Sequence, residues 1–69
     1  MQVGDKVKQK NTSVHRIGII VGIWEDDEYY ETSEGANVLF ASKGELKVRF
    51  ELDELSTYQT FSSKQLILL

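Results

Sequence analysis

Cysteine and proline are absent from this 69-residue chain, and histidine occurs once, at His15. The missing thiols exclude disulfides and thiolate metal sites. A single imidazole does not make a typical zinc site, which takes three or four nitrogen, sulfur or oxygen ligands. No apolar run approaches the ~20 residues that a membrane-spanning helix needs. The N-terminal residues Met-Gln-Val-Gly-Asp lack the apolar stretch of a secretory signal. There is no Gly-rich phosphate loop: Gly18 and Gly22 sit in a strand-like run without the lysine that a P-loop requires. The expectations are a cytoplasmic location, no cofactor and no small-molecule substrate.

What is present has the composition of an ordinary soluble domain, 41% hydrophobic and 28% charged. The length predicts one domain over residues 1–69. So short a chain buries a modest share of its surface. Ordering entropy, on the order of 1.5 kcal/mol per residue, nearly cancels what a small core returns. With disulfides and metal gone, a partner or self-association is the remaining staple.

The net charge of −3 is unevenly spread. Residues 1–16 carry a local +3, residues 25–34 a local −6, and residues 35–69 balance. Such separation favours oriented docking or head-to-tail self-contact.

Period-two and continuous apolar runs dominate, which predicts strands rather than helices. The first strand is read over residues 2–9, entered through Gly4-Asp5, with Val3 and Val7 on one side and Lys6, Lys8 and Lys10 on the other. The second, residues 17–25, is apolar on both faces. Ile19, Val21 and Ile23 form one row; Gly18, Ile20, Gly22 and Trp24 form the other. Glycine inside a strand marks a bend, a bulge or a close approach of backbone. Residues 26–36 read as an acidic loop. Asn37–Ala41 is expected to pair with Leu46–Phe50 as a hairpin across a four-residue turn at 42–45. Leu46, Val48, Phe50 and Leu52 then face inward, and Lys47, Arg49 and Glu51 outward. Residues 61–65 read as a tight helical turn, and 66–69 as a last strand. About five strands with short connections imply an all-β fold, a small antiparallel barrel.

The order of these features resembles SH3-like small β-barrels over nearly the whole chain. It looks in particular like short SH3-like proteins of tailed bacteriophages. The carrying residues are Val3 to Val7, Gly18 to Val21, Val48-Arg49-Phe50 and Gln65 to Leu69. The acidic 25–35 segment is an addition to that pattern. A second resemblance, in Gly18 to Ile23, Val48 to Phe50 and Phe61, is to the small SH3-like accessory protein of photosystem I. The first resemblance implies a five-stranded SH3-like barrel and a virion or host-cell setting. The second implies docking on a photosynthetic or redox complex.

Four groups of residues are candidate sites. Trp24, Tyr29, Tyr30 and Tyr58 are candidates for a protein contact, since Trp and Tyr dominate interface energetics. An aromatic groove for Pro-rich or methylated ligands is the other use of such residues. The run Glu25-Asp26-Asp27-Glu28 lacks the spaced ligands of a calcium loop. Asp26 and Asp27 are read instead as part of a docking patch for a basic partner. Leu66 and Leu68 lie on a strand whose outer residues are expected to be exposed, which suggests a contact surface. Lys6, Lys8, Lys10 and Arg16 form a cationic stripe that supports a nucleic-acid alternative. The acidic chain as a whole, pI about 5.0, favours a lysine-blunted edge strand there.

Catalysis has little to stand on. Ser13 and His15 share a strand side but have no third orienting group and no oxyanion site. The sequence therefore predicts a non-catalytic protein-interaction module. The first resemblance implies its specific form, a small phage-derived structural or accessory protein docking on a larger assembly or on its own copies.

Overall fold

In the computed structural model of the chain, residues 1–13, 16–51, 54 and 57–69 are described. The expectations for His15 and Leu52 fall outside them. Seven strands are present among the described residues: β1 (Lys6–Gln9), β2 (Ile17–Ile23), β3 (Glu28–Glu31), β4 (Asn37–Ala41), β5 (Leu46–Phe50), β6 (Gln59–Phe61) and β7 (Leu66–Leu68). Five form an antiparallel sheet in the order β6-β5-β2-β1-β7. The other two, β3 and β4, form a separate hairpin.

The Gly-Asp corner stands where the sequence places it. The Gln2 amide donates to the Asp5 carboxylate at 2.8 Å, and Gly4 and Asp5 bind the backbone of Ile20 on β2. The chain enters β1 only at Lys6, later than the predicted start at Gln2. The tight turn before the last strand is a 3₁₀ turn, Ser63–Gln65, held by a capping box. The Ser62 amide donates to the Gln65 side chain at 2.8 Å, and the Ser62 hydroxyl accepts from the Lys64 amide.

One core joins all five sheet strands: Val7, Ile20, Leu46, Val48, Phe50, Phe61 and Leu66. Since β6 and β7 lie at opposite ends of the sheet yet feed the same cluster, the sheet curls round it. Gly18 permits that curl. A methyl group there would meet Val48 Cγ1 at 2.5 Å and the Phe50 ring at 3.1 Å, so only glycine lets β2 lie this close to β5. Phe50 meets Phe61 edge-on at 5.9 Å, and the Arg16 guanidinium covers its ring at 4.2 Å.

Two expectations are corrected. The expected hairpin between Asn37–Ala41 and Leu46–Phe50 does not form. β4 pairs with β3, and β5 pairs with β2 and β6. Nor does the sheet close into a barrel: its end strands β6 and β7 are not bonded to each other. Both are three residues long, and β4 pairs with β3 outside the five-stranded sheet.

The acidic 26–36 segment supplies the partner strand. Tyr29, Tyr30 and Thr32 favour extended backbone, and the turn at 32–36 reverses the chain. There the Thr32 hydroxyl accepts from the Ala36 amide at 3.2 Å, and Gly35 adopts φ +84°, a left-handed conformation that suits glycine.

Candidate functional site

A bulge in β2 sets the geometry of the surface. Ile20 lies opposite Val48, but Gly22 lies opposite Lys47, so Val21 is an extra residue. Directly opposed residues share a face. Past the bulge, Gly22 and Trp24 therefore move to the outer face with Lys47, and Ile23 comes opposite buried Leu46. The predicted row of Gly18, Ile20, Gly22 and Trp24 thus breaks in the middle.

Trp24 is held there by its own polar atom: its indole N–H donates to the Thr60 hydroxyl at 3.1 Å. The Lys47 ammonium lies 4.1 Å from the Trp24 ring centre and 5.4 Å from that of Tyr58. A second bulge, at Phe40 in β4, turns that ring toward the sheet. Phe40 meets Trp24 edge-on at 5.7 Å, and Tyr30 meets Phe40 at 6.1 Å. Tyr58 completes the row, 6.3 Å from Trp24. The result is an aromatic ledge, Tyr30–Phe40–Trp24–Tyr58, that runs from the hairpin onto the outer side of the sheet.

Three of the four aromatic residues singled out in the sequence meet in this ledge. Tyr29 does not. It pairs with Leu39 on the opposite face of the hairpin, beside Glu31. Phe40 and Lys47 were missed. Three consecutive apolar residues, Val38-Leu39-Phe40, were a signal for Phe40, because a strand half-buried on one face does not carry such a run. The placement of Lys47 over Trp24 depends on the bulge, whose position the strand glycines did not fix.

The hairpin stands off the sheet. The radius of gyration is 13.3 Å, against about 11 Å for a compact chain of this length. Both hairpin faces are open: Tyr29 is 57% exposed, Tyr30 52%, Leu39 46% and Phe40 48%. Asp27 anchors its base by accepting from the Lys43 amide at 2.7 Å, so this carboxylate is committed to the corner between β4 and β5. Asp26 is exposed beside Trp24, Glu25, Glu28 and Lys47, in an open hollow of about 270 Å³. A cationic ligand for the ledge would have to displace Lys47, which already occupies the indole face.

The remaining candidates lie apart from the ledge. Leu66 is in the core at 2% exposed, while Leu68 on the edge strand is 53% exposed. Lys6 and Lys8 lie on the outer face of the sheet, with Arg49 in register across Ile19. Lys10 is in the turn after β1, and Arg16 is stacked on Phe50 rather than aligned with the lysines. No charged or polar residue is buried among the described residues. The ledge can offer apolar area, ring faces and a rim of carboxylates.

No family model, no curated protein and no solved structure matches the chain.

Proposed function

We propose that this protein is a non-catalytic interaction module, a small accessory component that docks on a larger protein assembly. The contact surface is the β3–β4 hairpin with the aromatic ledge at its base. One observation carries the reading: a hairpin bearing Tyr29, Tyr30, Leu39 and Phe40 is exposed on both faces. A two-stranded hairpin is marginal in water by itself, and four large apolar side chains on it gain most when a partner covers them. Tyr and Phe are residues that anchor interfaces.

Within this reading the fold is SH3-like, with the hairpin added between the second and third strands of the sheet. The Gly-Asp corner, the glycine-punctuated β2 and the 3₁₀ turn before a leucine-rich last strand support that kinship. They also support the kind of protein it implies, a small structural accessory of tailed bacteriophages.

The test is recovery of the assembly by the tagged full chain expressed in its own source. Phe40→Ser and Tyr30→Ser are expected to lose the recovered partner, and Ser63→Ala to keep it. Equal recovery by all three variants would count against the ledge as the contact surface.

A further inference from the structure

β2 is the central strand of the sheet, and it is apolar on its outer side. Ile17 is 43% exposed and Ile19 37%, with Val21 beyond them at the bulge. An antiparallel sheet with one solvated face alternates apolar-in and polar-out. The flanking strands obey that rule, presenting Lys6 and Lys8 on β1 and Lys47 and Arg49 on β5. β2 breaks it at the centre of the sheet, and Ile67 of β7, opposite Lys8, widens the apolar area. A hollow of about 380 Å³ lies on this face, lined by Lys6, Ile17, Ile19, Arg49, Phe50 and Glu51.

The hairpin carries the complement. On the face turned away from the ledge, Tyr29 and Leu39 stand side by side, with Glu31 next along the strand. The segment that bears Tyr29 and Glu31, residues 25–34, has a local charge of −6, and residues 1–16 have +3. Tyr29 and Leu39 beside the Glu31 carboxylate on one patch match isoleucines set among Lys6, Lys8 and Arg49 on the other.

We infer that the occupant of the sheet's outer face is the hairpin of a second copy of this chain, with Tyr29 entering the hollow between Lys6 and Arg49. The inference rests on the hairpin being a contact surface. Sheets stack about 10 Å apart, and a two-stranded hairpin laid on β1, β2 and β5 would complete a second layer over β2. A specific interface takes about 800 Å² from each partner. The chain has 5127 Å² of accessible surface, so two such patches use roughly a third of it. Because the two patches differ, the contact is head-to-tail and either closes into a ring or runs on as a filament.

The full chain is measured by sedimentation velocity over a concentration series at low and high salt. The wild type is expected to associate with rising concentration, less so at high salt. Ile19→Glu blocks the sheet face and Leu39→Lys blocks the hairpin face. Each is expected to weaken association ~tenfold or more, the effect of losing an interface anchor. An equimolar mixture of the two variants retains one intact patch of each kind and is expected to yield a species of two chains. A charge pair guards against misfolding: Lys6→Glu with Arg49→Glu in one chain should dissociate the wild-type contact, and Glu31→Lys in the other should restore part of it.

A wild type that stays monomeric throughout overturns the inference, as does a mixture that fails to pair. Association abolished by nuclease overturns it in favour of nucleic acid on the basic face. If the chain is monomeric yet Phe40→Ser still loses its assembly partner, self-contact fails while the interaction module stands.

Discussion

The five-stranded sheet and the β3–β4 hairpin are built from similar residues, yet they are held by different forces. In the sheet, seven side chains from all five strands are buried together. In the hairpin, Ala41 alone is buried, at its base, and the large apolar residues face outward. Sequence-local hydrogen bonds, the 32–36 turn and the Asp27 bond to Lys43 define the hairpin. The lesson is that hydrogen-bonded strands do not make a core; burial does. The sheet is the stable body, and the hairpin is a surface carried on it.

Substitutions can break this contrast, and the largest effect belongs to the core. Phe50→Ala empties a site 1% exposed and is expected to cost about 3–5 kcal/mol. That is enough to unfold much of a domain this small, and urea denaturation followed by circular dichroism would read it. Next comes Gly18→Ala, whose added methyl overlaps Val48 Cγ1. Overpacking of this kind costs about 1–3 kcal/mol, and an unchanged denaturation midpoint would show that β2 and β5 can move apart.

Smaller again is Trp24→Phe, which removes the indole bond to Thr60 and weakens the Lys47 stack. A loss of about 1 kcal/mol is expected, read from the same denaturation curves. The last effect is the sharpest test of the contrast. Leu39→Ser on the hairpin should change stability by no more than about 0.5 kcal/mol, while association falls. Hydrogen exchange tests the same point without mutation: amides of β3 and β4 should exchange by local opening, well before those of β2 and β5.

Much of the sheet was legible in the sequence. The alternation Leu46-Lys47-Val48-Arg49-Phe50 gives β5 its buried and outward rows, and the structure keeps them. The Gly-Asp corner and the turn before the last strand also stand where they were read. The site was less legible. Charge made residues 26–36 look like a loop, although Tyr29-Tyr30 carried strand propensity. β5 has both of its edges taken by β2 and β6, where Leu46, Val48 and Phe50 are buried, so β4 is left to pair with β3. The ledge depends on two bulges, at Val21 and Phe40, and one extra residue changes which face a side chain takes. The glycines of β2 signalled a bend or bulge without fixing its position, and nothing in the sequence signalled the one at Phe40.

By itself the sequence determined an all-β chain without disulfides, its buried rows, its corners and its two-sided charge. It also determined that β2 is apolar on both faces. Only the tertiary structure decided that the sheet stays open, that β4 belongs to a projecting hairpin, and that Trp24, Phe40, Tyr30 and Lys47 meet. The reason is physical. Alternation and turn chemistry act within a few residues, whereas strand pairing is a competition among distant segments, settled by how much apolar surface each pairing buries.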